Sequence, residues 1–175
     1  MKDKLQTGDV ILQSGIGRNW LEKVFVKVAN WKTKSKVTHG GLYLGNGLMV
    51  ESYWVGVKIH PIYDYRPEEV DYYRYKKCKN CVSLTDKDKK FILRNAYKYE
   101  GTKYDFLHVF LNLFKGILHW IPYDSKHKVY CFEFIARVYE ESGLSLNDGT
   151  FTKWDLDYIT GYELSHTKKL RRLEI

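Results

Sequence analysis

Cys131 lies in the run Tyr130-Cys131-Phe132-Glu133-Phe134-Ile135-Ala136-Arg137-Val138-Tyr139, whose apolar spacing predicts an amphipathic helix with the cysteine in its first turn. Backbone N–H groups at a helix start are unpaired and carry partial positive charge, which favours the thiolate, the nucleophilic form of cysteine. Thiolate catalysis also requires a base, a polar group that orients the base, and donors for an oxyanion. Upstream, Thr38-His39-Gly40-Gly41-Leu42-Tyr43-Leu44 offers His39 as the base, and Val50-Glu51-Ser52 offers Glu51 as the orienting carboxylate.

Each of these residues also has a plain structural reading, since buried cysteines and strand histidines commonly just pack and a glutamate at a strand end is commonly solvated. Local context favours chemistry. Gly40 and Gly41 leave room beside His39 for a substrate or a neighbouring backbone, and Glu51 ends the apolar run Leu48-Met49-Val50, where its charge needs a partner. His60, His108, His119, His127 and His166 compete for the base role. His60 precedes a proline at a strand end, and His108 and His119 fall on the polar stripe of a long helix, so none has a comparable setting.

Positioning these groups takes a sheet and at least one helix. Val10 to Gln13, Val37 to Leu44, Leu48 to Tyr53, Val55 to Ile62 and Val70 to Tyr75 read as strands, and Gly45-Asn46-Gly47 as a hairpin turn. Closing that turn with Leu44 opposite Leu48 puts Glu51 opposite Gly41 and His39 opposite Tyr53. His39 and Glu51 then share a face as diagonal neighbours, about 7 Å apart between backbones. A slip of one residue would separate them. Helices are expected from Trp20 to about Asn30, from a capping box at Thr85-Asp86-Lys87-Asp88 to a stop at Gly101, and from Cys131 to Glu141 before Gly143. The segment from Asp105 to His119 is apolar apart from a narrow polar stripe, which fits a helix buried on most sides or one facing an acyl chain or lipid. The tail from Thr152 to Ile175 reads as short strand-like pieces ending in basic residues.

With 175 residues, 44% of them hydrophobic and 29% charged, the chain has the composition of one folded domain spanning 1–175. Its 15 tyrosines suit half-buried strands and cleft walls. Lysine and arginine exceed aspartate and glutamate by 29 to 21, a net charge of +8. The lysines are scattered, which argues against a specific nucleic-acid site and leaves open peripheral contact with an anionic membrane surface. The N-terminus lacks the apolar core of a signal peptide and no run is long enough to span a bilayer, so the expected location is cytoplasmic. Three cysteines do not make a disulfide framework. Cys78 and Cys81 have the spacing of half a zinc site, but no second ligand pair accompanies them, and a polar turn is the expectation there.

Five short motifs follow one another along the chain: Gly8-Asp9-Val10-Ile11, the strand around His39, Val50-Glu51-Ser52, Gly101-Thr102-Lys103-Tyr104-Asp105, and Tyr130-Cys131-Phe132-Glu133-Phe134. From Thr7 to Leu156 this order resembles the circularly permuted branch of the NlpC-type papain-like superfamily, and within it the YiiX-like cysteine peptidases. The resemblance implies an α+β fold, with an antiparallel curved sheet or small barrel packed against helices. It implies Cys131 as nucleophile, His39 as general base and then acid, and Glu51 as the orienting residue. Tyr104 matches a family tyrosine near the oxyanion position, to be paired with the Cys131 N–H. Where family members often have a small residue after the cysteine, this chain has Phe132. No cofactor or metal is implied. The implied reaction is hydrolysis of an amide in a small peptide or amino-acid-containing substrate, of γ-glutamyl or cell-wall type. The alternative is a thiol acyltransferase or lipid esterase like the lecithin retinol acyltransferase group, and a third class is a non-catalytic binding module.

Overall fold

The computed structural model describes residues 4–15, 27–28, 30–31, 35–62, 70–77, 84–113, 127–150, 156 and 159–175. Strands β1 (Val10–Ser14), β2 (Val37–Gly45), β3 (Leu48–Tyr53), β4 (Gly56–Pro61) and β5 (Val70–Tyr75) come first. They are followed by α1 (Asp86–Lys98), β6 (Lys103–Tyr104), α2 (Phe106–Leu113), β7 (Lys128–Val129), α3 (Cys131–Glu141), α4 (Gly161–His166) and β8 (Leu170–Arg172). The larger sheet is antiparallel throughout, in the order β4-β3-β2-β1-β5-β8, with β4 and β8 at its edges. The fold is therefore α+β, with an open sheet rather than a closed barrel among the described strands. Strands β6 and β7 form a separate two-residue parallel pair.

The β2–β3 hairpin turns at Asn46 and Gly47, both in the left-handed region (φ 53° and 73°), which matches the twist of the flanking strands. Gly41 pairs with Glu51 as the residue count predicts. An irregularity at Leu44 places Gly45, not Leu44, opposite Leu48, and the shift lies on the turn side of the Gly41–Glu51 pair, so the residues that matter keep their face.

Helix α3 packs across β2 and β3, with α1 beside it. It is buried on more than one stripe, because Cys131, Phe132, Glu133, Ala136 and Tyr139 are covered as well as Phe134, Ile135 and Val138. Gly40 permits the close approach: a Cβ there would stand 3.0 Å from both Ile135 Cδ1 and Leu12 Cδ2. The space beside His39 thus serves the neighbouring helix. Glu133 is tolerated at 0% exposure because its carboxylate accepts from Arg137 Nε at 2.7 Å and from the Tyr130 N–H at 3.4 Å.

Helix α1 starts at Thr85 with the expected capping box to Asp88. In the tail, Gly161–His166 is helical where strand-like pieces were expected, and among the described residues there only Leu170–Arg172 is a strand. The unread signal was Thr160 three residues before Glu163, a second capping box. The helix expected from Trp20 to Asn30 lies mostly outside the described residues, as do His119, Cys78 and Cys81. No described helix is long and apolar enough to cross a membrane.

Candidate active site

Two side-chain anchors and a glycine deliver the segments that meet at Cys131. Ser52 Oγ donates to the Val129 carbonyl at 2.7 Å, tying β7 to β3 just before α3 begins. Tyr130, the N-cap, has extended backbone and fastens its hydroxyl to the Ile159 carbonyl at 2.7 Å. Cys131 follows as the first helical residue, a free thiol at 3% exposure. On the other side, Gly56 (φ +103°) lets the Thr102 carbonyl come close enough to accept from the Val57 N–H at 2.8 Å. That contact holds β6, and with it Tyr104, against β4.

The diagonal relation predicted for His39 and Glu51 is realised, with His39 Nε2 and Glu51 Oε2 2.6 Å apart and the two side chains 13% and 11% exposed. The imidazole also interacts with the Cys131 side chain. Burial works against a charged ring, yet the hydrogen bonds and charges of Cys131 and Glu51 outweigh it and push the His39 pKa up to about 10. Tyr104 joins from β6, with a hydroxyl that hydrogen-bonds to Cys131. Burial, reinforced by Cys131 and Tyr53, raises its pKa well above the ordinary phenol value, so it stays a neutral donor. Cys131, His39, Glu51 and Tyr104, four residues predicted from sequence, therefore form one cluster.

Sequence reasoning missed His60. In β4, Lys58 pairs with Glu51 and His60 with Met49, which makes His60 a second diagonal neighbour of Glu51, on the side away from His39. Its Nε2 stands 3.0 Å from Glu51 Oε1, and its Nδ1 3.0 Å from the Pro61 carbonyl. The signal was available: carrying the strand count through the next hairpin places His60 on the Glu51 face. A row of aromatic rings was also missed. Tyr53 packs edge-on against His39 at 5.3 Å, Trp54 against Tyr53 at 6.2 Å, and Phe106 against both Trp54 (5.3 Å) and Tyr104 (4.8 Å). Trp54 is 53% and Phe106 48% exposed, so the row forms an open apolar rim beside the thiol.

The other described histidines stand apart from the cluster. His108 is buried behind the first turn of α3, 3.9 Å from Asp105 and 4.0 Å from Glu133, while His127 and His166 are exposed. Phe132 turns into the core and is 9% exposed.

No family model and no curated protein matches the chain. A crystal structure of yiiX from Escherichia coli O157:H7 superposes with a TM-score of 0.66 at 18% identity, covering 96% of each chain. The chain has the YiiX fold. At that identity the YiiX-like architecture is what is shared. That neighbour is described as a metalloprotein. Among the described residues here, no group of three or more His, Cys, Asp or Glu side chains is arranged to hold an ion. The 2.6 Å between His39 Nε2 and Glu51 Oε2 is the spacing of a shared proton. Two ligands of a tetrahedral zinc, each at about 2.0–2.1 Å from the ion, would stand about 3.3 Å apart. The pair is therefore arranged as a hydrogen bond.

Proposed function

We propose that this protein is a cysteine-dependent hydrolase that cleaves an amide bond. The carrying observation is that the His39 imidazole interacts with both Cys131 and Glu51. In this reading the Cys131 sulfur attacks the carbonyl carbon, and the resulting oxyanion is held by the Tyr104 hydroxyl and the Cys131 N–H. The C–N bond breaks as the His39 imidazolium gives its proton to the leaving amine. Water then attacks the thioester while His39 takes its proton, and the sulfur leaves as the acid is released. Glu51 keeps the imidazole in the orientation both steps require. By the resemblance of its motifs, small peptides with γ-glutamyl or cell-wall-type linkages are the first substrates to try.

The test is the rate of Cys131 carboxamidomethylation by iodoacetamide at mildly acidic pH, followed by hydrolysis assays on γ-glutamyl and cell-wall-type peptides. Cys131 should react faster than a free thiol and lose that advantage in His39→Ala. A rate equal to that of a free thiol, unchanged in the variant, would leave only a binding module.

The exposed rim of Trp54 and Phe106 favours a second reading, a thiol acyltransferase or lipid esterase whose acyl chain lies along the rings. Turnover of fatty-acyl esters and sedimentation with anionic vesicles would support it. Absence of both would remove it.

A further inference from the structure

Glu51 is flanked by imidazoles on both sides, and the second one has no part in the mechanism above. His60 Nδ1 faces the Pro61 carbonyl at 3.0 Å. A carbonyl only accepts, so Nδ1 carries the hydrogen. His60 Nε2 stands 3.0 Å from Glu51 Oε1, a charge contact whose N–H is not aligned as a hydrogen bond. At that distance the contact is attractive only when His60 is protonated and carries the positive charge. Glu51 must remain an acceptor for His39 Nε2, so the proton belongs on His60. Both histidines reach the carboxylate diagonally from adjacent strands, His39 from β2 and His60 from β4, and each takes a different oxygen.

We propose that His60 is a positioning residue: its charged imidazole holds Glu51 Oε1 so that Oε2 stays aimed at His39, and loss of its proton releases the carboxylate. The proposal deepens the hydrolase reading and rests on it for its catalytic consequence. The titratable groups on the elements packed against β4 are Glu51 and Tyr53 on β3 and Lys103 and Tyr104 on β6, with His39 beyond Glu51 on β2 and Lys58 on β4 itself. Glu51 is the one anion among them, so the charge of His60 acts on the orientation of Glu51 and, through it, on His39. The reaction carries an inflection on the alkaline side of the His60 titration that does not belong to His39 or Cys131.

Three variants and two readouts test this. His60→Gln keeps an N–H donor near the place of Nε2 but does not titrate, whereas His60→Leu removes the donor. The rate of Cys131 alkylation by iodoacetamide should fall about tenfold in His60→Leu at pH near 6, and no further when Glu51→Gln is added, because the two residues act through one contact. His60→Gln should recover most of the rate and lose the inflection. A His60→Leu profile that overlays the unaltered protein, or effects of His60→Leu and Glu51→Gln that multiply, would overturn the proposal. Separately, an NMR titration of ¹⁵N-histidine-labelled protein should show the His60 midpoint moving down by about half a unit or more in Glu51→Gln. An unmoved midpoint also overturns it. If Cys131 in the unaltered protein reacts no faster than a free thiol, the hydrolase reading fails, and the NMR titration still decides whether His60 grips Glu51.

Discussion

Removing the Tyr104 hydroxyl tests the oxyanion assignment while leaving the thiol and imidazole in place. Tyr104→Phe should lower kcat on an amide substrate by about 10²-fold with little change in KM, because the lost donor acts on charge that develops only in the transition state. An equal rise in KM would make the tyrosine a ground-state contact. His39 leads to a second residue-scale prediction. Its pKa is raised from 6.5 to about 10, so its contribution to folding stability is complete below the unfolded value and is lost as pH rises through about 10. Urea midpoints should therefore fall between pH 7 and 10 more steeply in the unaltered protein than in His39→Gln. Matching slopes would mean that the imidazolium is not held by Cys131 and Glu51. At this scale the cluster was largely legible, since a cysteine at a helix start, a histidine beside two glycines and a glutamate ending an apolar run each carry a local signature. His60 was not, because its signature is not local: read beside Pro61 it looks like a strand end, and only its register against β3 places it on Glu51.

At the scale of elements, glycines decide how closely the segments approach, and their two requirements can be separated. Gly56 has φ +103°, and a Cβ there would meet the Thr102 carbonyl oxygen at 2.4 Å, a backbone atom that cannot turn aside. Gly101 has φ +79° but faces open space. Gly101→Ala should therefore cost about 1 kcal/mol, the conformational term alone. Gly56→Ala should cost about 2–3 kcal/mol and, by pushing β6 away from β4, also slow turnover through a misplaced Tyr104. Equal losses of stability in the two variants, measured by urea unfolding, would mean that β6 yields easily and that Gly56 does not position Tyr104. The strands, α1 and α3 were legible because alternation, capping boxes and turn residues are written within a few positions. The role of the Gly40 gap was not: the sequence shows an absent side chain, but only the packed structure shows that Ile135 of α3, rather than a substrate, fills the space.

Across the whole molecule, the first motif of the chain acts far from the chemistry. Asp9 is 1% exposed and accepts from Arg74 Nε at 2.9 Å and Nη2 at 2.8 Å, while the same Nη2 donates to the Lys4 carbonyl at 2.6 Å. Next to it, the Tyr139 hydroxyl donates to the Gly8 carbonyl. These contacts fasten the start of β1 to β5 and to the far turn of α3, and they explain a Gly-Asp pair that reads from sequence only as a turn before a strand. Its partners were illegible because Arg74 lies 65 residues away and Tyr139 lies 131 residues away. A buried ion pair of this kind is costly to break by halves, since the surviving charge is left without compensation. Arg74→Met should destabilise the protein by about 3–5 kcal/mol, and Asp9→Leu combined with Arg74→Met should recover much of that loss, because two apolar side chains leave no charge stranded. Cys131 alkylation per folded molecule should stay unchanged in both, as neither residue touches the His39–Cys131 pair. A double variant less stable than Arg74→Met alone, in urea unfolding at neutral pH, would show instead that the hydrogen bonds to Lys4 and the backbone, and not the stranded carboxylate, account for the cost.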